Sequence, residues 1–487
     1  MTDNQVAEKT LESTETSMTY QEKKRFRDYI FFFSGQQISL LGSSIVSFAL
    51  IWWITKVTAS ELMLGIASLV SLGPFLLVVP FSGVIADRIN RKALIFTVDL
   101  LQSLFTVVLT IIYMFYYIPN AADPTQIPNK TLLLTCTFVI LGLRGIMQAF
   151  HSPVVSAMIP TMVPQKHLSR MNGVGFLSSG IINVIGPVVG ALLYKAIDVS
   201  LTLWADIITM AIALIPLLLI KIPSASEING EKKKVKFRED FVEGLRVIRK
   251  SEGLFPMLLI ATLINFFFAP LSTLLPLFIE KIHLGNESNY ALVMGFLNAG
   301  VIIGGLFMVF FKGFKRRVFV AIICIMIMFG GVSVLIFVPS SFGARFWIIG
   351  LIMFFVMMPN PVANVSFNTS MQLMIPKDKM GRVSSVLMFM SMAITPIGNF
   401  LSGVIGEYVS IPIVFTVSAI IGATLSILIY YASPARKLDN TINKIIKENE
   451  IVQALQKEQE EQLNLDELDK VVLSLDDKTK PSETPLN

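Results

Sequence analysis

Apolar stretches recur along almost the whole chain, separated by short polar turns. They fall near 28–55, 62–86, 92–118, 131–158, 173–197 and 200–221, then near 254–280, 289–311, 317–339, 343–368, 383–408 and 411–432. A helix needs roughly 20 apolar residues to cross about 30 Å of hydrocarbon, and these runs are of that order. The pattern predicts an all-α integral membrane protein with twelve transmembrane helices in two pseudo-symmetric six-helix bundles.

Segment 222–253, which contains EKKKVKFRED, is the only long polar connector inside this apolar region. The chain therefore divides into a polar tail (1–27), a first bundle (28–221), a linker (222–253), a second bundle (254–433) and a charged tail (434–487). In the last of these, Leu438, Ile442, Ile445 and Val452 recur at helical spacing. That predicts an amphipathic helix near 438–463, followed by disorder, on a solvated appendage.

Composition agrees with this setting. Hydrophobic residues make up 53% of the 487 positions and charged ones 15%, too few for a soluble surface. The net charge of +6 would suit a nucleic-acid partner, but the distribution of the cations argues against one. With the N-terminus inside, the inner loops and linker hold 21 Lys and Arg and the outer loops five. This asymmetry predicts a multi-pass protein of the cell membrane with both termini cytoplasmic. Residues 1–27 lack an apolar core, so the first span is expected to remain as a membrane helix rather than be removed as a signal peptide. Cys136 and Cys324 lie inside apolar runs in no metal or disulfide spacing.

The halves also echo each other. VPQKHLSRMNGV (163–174) and IPKDKMGRVSSV (375–386) share an apolar residue, Pro, five residues, Arg, three residues and Val, 212 positions apart. Duplicated halves with a site between them near mid-bilayer are a transporter architecture. The sequence has no phosphate-cradling G-x-x-x-x-G-K-[ST] loop, no selectivity-filter signature and no nucleophile or metal constellation. These features point to a secondary transporter, not an enzyme, with no cofactor and no bound metal.

GVIADRINRK (83–92), between the second and third spans, resembles the signature of the major facilitator superfamily. The resemblance implies a cytoplasmic conformational latch on Gly83, Asp87, Arg88, Arg91 and Lys92, with the aspartate facing a helix start in the other half. Asn90 stands where the family usually has glycine; asparagine tolerates left-handed backbone angles, which would preserve the turn. The equivalent FKGFKRR (311–317) keeps the basic residues but has no aspartate. LRGIMQAFHSPVVSAMIPTMVPQKHL (143–168), GPVVGALLY (186–194), EGLFPMLLIATL (252–263) and GRVSSV (381–386) resemble the macrolide-efflux branch of drug:proton antiporters, over residues 25 to about 435. That branch also includes exporters of siderophores and other amphiphiles. The resemblance implies proton-coupled efflux of amphipathic, macrolide-like compounds by a monomer embedded in the bilayer.

Within the spans, ionisable groups cost at least ~2.5–3.5 kcal/mol each at a helix centre and need a partner or a role. Asp99, Arg144 and Asp206 are the three that stand out. The expectation is that one or both carboxylates take up protons while Arg144 tunes them; a static ion pair is the alternative. One charge moving through 100 mV carries about 2.3 kcal/mol, roughly a 50-fold substrate gradient. Gln36, Asn183, Asn265 and Asn399 are candidate cavity residues, and interhelical hydrogen bonding is the competing role for each. Two other functions remain open at this stage: export of a specific metabolite or siderophore, and a non-transporting sensor or scaffold.

Overall fold

The computed structural model describes residues 20–86, 90–117, 128–220, 237–311, 313–375 and 379–448, with positions 451 and 455. The first half comprises α1 (Tyr20–Thr58), α2 (Glu61–Ala86), α3 (Arg91–Tyr116), α4 (Lys130–Met162), α5 (Gln165–Thr202) and α6 (Trp204–Leu219). A linker helix, α7 (Phe237–Lys250), precedes the second half. That half comprises α8 (Leu254–Leu277), α9 (Glu287–Phe310), α10 (Arg317–Val334), α11 (Arg345–Met357), α12 (Pro359–Met374), α13 (Met380–Ala393), α14 (Thr395–Tyr408) and α15 (Ile411–Ala432).

Eleven helical segments are long and apolar enough to cross a membrane, counting α11–α12 and α13–α14 as single spans. The twelfth crossing is α6, an apolar helix of 16 residues and the shortest of the set. Proline explains both divided spans. Pro359 opens α12 directly after the break at Met358, and Pro396 lies in the first turn of α14, positions where its missing N–H is harmless. Pro270 and Pro276 lie buried within a continuous α8, which then loosens into a π turn at Phe278–Ile282. The turn between the fifth and sixth spans is marked by Asp198, at φ 72°.

In the first half α1 packs on α5 and α6, and α2 packs on α4; in the second, α8 packs on α14 and α15, and α9 on α11. The halves meet mainly along α2–α14 and α5–α9, so the second helix of each half lies against the fifth of the other. This reciprocity is the pseudo-symmetry that the repeated motifs imply. The face on which α1 begins and α15 ends is called the terminal face below, and the opposite one the far face.

The tail departs from expectation. Residues 438–448 form a helix whose Leu438 and Ile442 are buried, not solvated. Asp439 Oδ1 accepts from the Val318 amide at 2.9 Å and Oδ2 from the Phe319 amide at 3.1 Å. Asn443 Nδ2 donates to the Lys315 carbonyl at 3.2 Å. The reason is local: the first amides of α10 have no intrahelical partner, and loop 311–317 offers no acid of its own. Gly253, at φ 84°, makes room, because a Cβ there would lie 2.3 Å from Leu438. The rest of the expected tail helix lies outside the described residues, apart from positions 451 and 455.

Candidate functional site

Helix α3 carries a buried polar stripe through an otherwise apolar helix: Asp99, Gln102, Thr106 and Thr110. Steps of three and four residues place them on one face. Helix α4 presents Arg144, Gln148 and His151 at the same spacing. The two stripes meet in two layers, seven residues apart on both helices, or about 10 Å.

In the layer nearer the far face, Asp206 of α6 is wholly buried and held from three other helices. Ser43 of α1 donates to Oδ1 at 2.7 Å and Thr106 of α3 to Oδ2 at 2.8 Å. Arg144 grips it with both terminal nitrogens, Nη1 to Oδ2 at 2.5 Å and Nη2 to Oδ1 at 3.4 Å. The guanidinium also donates to the Thr106 and Ser43 hydroxyls. A bidentate pair with further donors meets the conditions under which a buried ion pair is tolerated.

The layer nearer the terminal face is more sparingly satisfied. Asp99 accepts from Gln36 Nε2 at 3.2 Å, and its Oδ1 lies 3.2 Å from His151 Nε2. The Asp99 side chain is 3% exposed and the His151 ring 12%. Gln102 lies between the layers, buried, and its Nε2 has no partner among the described residues.

Sequence reading thus located Asp99, Arg144 and Asp206, while the structure decides the pairing: Arg144 belongs to Asp206, and Asp99 to His151, which the sequence did not single out. The α4 spacing of Arg144, Gln148 and His151 is the signal that could have found it. Of the other histidines, His167 stacks on Phe26, and His283 is buried against Phe278 and Phe346. Gln36 is drawn into the Asp99 layer. Asn183 and Asn265 are exposed, Asn265 donating to Ala261 of its own helix. Asn399 is buried at a helix junction, accepting from Ser272 at 3.2 Å.

At the far face the two halves are joined by charged groups at the helix ends. Lys56 pairs with Glu280 at 3.4 Å, and Lys281 with Glu61 at 2.9 Å. Glu407 accepts from the Ser60 hydroxyl and from the Leu62 amide in the first turn of α2. A carboxylate from one half therefore faces a helix start of the other. Tyr290 of α9 stacks on Phe48 and Trp52 of α1 just beneath. Where α2 and α14 cross, a Cβ on Gly403 would come within 2.6 Å of the Glu61 carbonyl, so the helices touch backbone to backbone.

The expected latch lies at the terminal face. Asp87 and Arg88 fall outside the described residues, and Gly83 is within the last turn of α2. Arg91 is buried, and Lys92 Nζ donates to the Leu218 and Ile220 carbonyls at 2.8 and 2.7 Å, closing the end of α6. Asn90 corrects the left-handed expectation: its φ is −59°, and its side chain caps α3 by accepting from the Lys92 and Ala93 amides. A short side-chain acceptor at this position satisfies the first amides of α3, a bond that glycine could not supply.

Twelve crossing helices in two reciprocal halves, with charge buried in a bundle core, define a membrane transporter. The match of residues 32–398 to the Major Facilitator Superfamily establishes the family, and the chain belongs to it. Among curated relatives, Macrolide efflux protein A of Streptococcus pyogenes is 28% identical over 83% of this chain and 96% of its own. The Staphyloferrin A transporter of Staphylococcus aureus is 25% identical over 84% and 97%. The fold matches the inward-facing crystal structure of a bacterial homologue of the iron transporter ferroportin, with a TM-score of 0.63 at 15% identity, over 83% of this chain and 98% of that one.

Proposed function

We propose that the protein is a proton-coupled exporter of amphipathic organic compounds, working by alternating access between its halves. The observation that carries this reading is the two-layer carboxylate cluster in the core of the first half. Buried ionisable groups are expensive in a membrane, and a proton pathway gives them a role. Substrate class follows from the macrolide-efflux relatives. The positively charged loops make the terminal face cytoplasmic, so the joined far face corresponds to an inward-facing state. Gly83, Asp87, Arg88, Arg91 and Lys92 then form the latch that holds the opposite, outward-facing state.

A resistance panel of macrolides and other amphiphiles, with the wild type and Asp99→Asn expressed in a pump-deficient host, tests the reading. Resistance to at least one compound, lost in the variant, is the expected outcome. Unchanged sensitivity to every compound would remove drug efflux. The second reading, export of a siderophore-like metabolite, is favoured by the staphyloferrin A relative, which spans as much of the chain. Secretion assays on the same strains separate the two.

A further inference from the structure

The two layers of the cluster are chemically unlike, and the difference assigns them different work. We propose that the coupling proton is carried by the Asp99–His151 pair, with His151 as its entry and exit, while Arg144–Asp206 stays ionised throughout as a positioning pair. This rests on the proton-coupled reading above.

The Asp206 layer has no vacancy for a proton. Both carboxylate oxygens already accept, from Ser43, Thr106 and Arg144. A guanidinium does not deprotonate in proteins, so protonating Asp206 would strand a buried cation and several donors at once. The Asp99 layer differs in each respect. Its carboxylate has two partners, a neutral amide and an imidazole. Imidazole is the side chain whose ordinary titration range spans physiological pH.

Geometry gives the path. Asp99 is the more enclosed of the two, so a proton reaches this layer by way of the His151 ring. Arg144, Gln148 and His151 are all partly exposed along one face of α4. A polar stripe that carries a guanidinium cannot favourably face lipid, so it lines a polar path inside the bundle. The pair also lies on the terminal-face side of the cluster, the side away from the joined far face.

The step balances simply. Neutral His151 donates Nε2–H to Asp99 Oδ1 and takes one proton on Nδ1. The imidazolium that forms is held by the carboxylate, and the same Nδ1 proton leaves to the cytoplasmic solution in the inward-facing state. Asp99 accepts a hydrogen bond throughout, and Gln36 fixes its second oxygen. Among the described residues, Arg144 and Asp206 are set towards the pair, two turns away and joined to each other. Arg91 lies two turns towards the terminal face on α3, and Tyr29 of α1 packs in the same buried cluster as Ile95 and Val154.

The chain has three histidines, which makes direct observation practicable. Full-length protein labelled with 15N-histidine is reconstituted in lipid, and imidazole resonances are followed from pH 5 to 9, with His151→Gln identifying the relevant signal. The expected result is a His151 signal that gains and loses a proton within this range, with a response that Asp99→Asn changes. A His151 signal that does not titrate in this range, or a midpoint unmoved by Asp99→Asn, overturns the proposal whatever the substrate.

Proteoliposomes given radiolabelled erythromycin supply the second arm. Gradient-driven accumulation should fall at least tenfold in His151→Gln while exchange without a gradient falls less than threefold, and His167→Gln should match the wild type. Full gradient-driven accumulation in His151→Gln also overturns the proposal. A wild type that ignores the pH gradient would instead overturn proton coupling itself, leaving the resonance titration to decide whether the pair holds a proton.

Discussion

The two halves share a topology but not an interior. The first carries two acids, an arginine and a histidine across its helix junctions. In the second, the described polar contacts at comparable depth are neutral, such as Ser272 with Asn399 and Asn298 with the Met294 carbonyl. They differ again at the start of their third helix. Helix α3 is capped from within its own loop by Asn90, and α10 by Asp439, some 120 residues further on. One half is thus built to hold charge and the other to pack around neutral bonds.

The sharpest way to break this contrast is Arg144→Met, which leaves Asp206 buried without its cation. Breaking a buried pair costs about 3–5 kcal/mol, so folded yield and melting temperature in detergent should drop steeply. Arg144→Met with Asp206→Leu gives the first half a neutral layer like the second's, and should recover most of the loss without recovering transport.

Asn399→Asp does the reverse, placing a charge in the neutral half. The side chain is almost wholly buried, so a loss of about 2.5–3.5 kcal/mol is expected, less if the acid is protonated. Melting measured against pH would show the penalty easing under acid conditions. A flat pH response with wild-type stability would mean the second half tolerates charge after all.

Asp439→Ala tests the borrowed cap. Loss of a capping side chain costs roughly 0.5–2 kcal/mol, and protease access near 437–448 should rise in proportion. Asn90→Ala is the matched control in the first half and should show no such rise in the tail.

The smallest effect concerns the seam where the halves join. Lys56→Glu or Glu280→Lys alone should increase maleimide labelling of a cysteine at Ser60 by a few fold, because partly exposed pairs contribute about 0.2–1 kcal/mol. The exchanged double variant should return labelling towards the wild type, and continued high labelling would show that the pair does not help close the far face.

How much of this was legible in the sequence varied with physical scale. The spans were legible because each must supply its own apolar length, a local property. Asp99, Arg144 and Asp206 were legible because a charge in such a run is conspicuous. Their pairing was not, because it depends on how far each helix is rotated and how deep it sits, which α1, α5 and α6 fix together. His151 was hidden for a simpler reason: an isolated imidazole barely disturbs hydropathy. The pairing of Lys56 with Glu280 and of Lys281 with Glu61 was not legible, since nothing local says which end of the other half a charge will meet. The tail was misjudged because its partner, the open start of α10, lies outside its own segment.

The Asp439 bond also has a place in time. Helix α10 enters the membrane well before residue 439 is synthesised, so its first amides must wait through the making of five further helical segments. Closing that bond marks the arrival of residue 439: a polypeptide that stops short of it displays an open helix end, and one that reaches it does not.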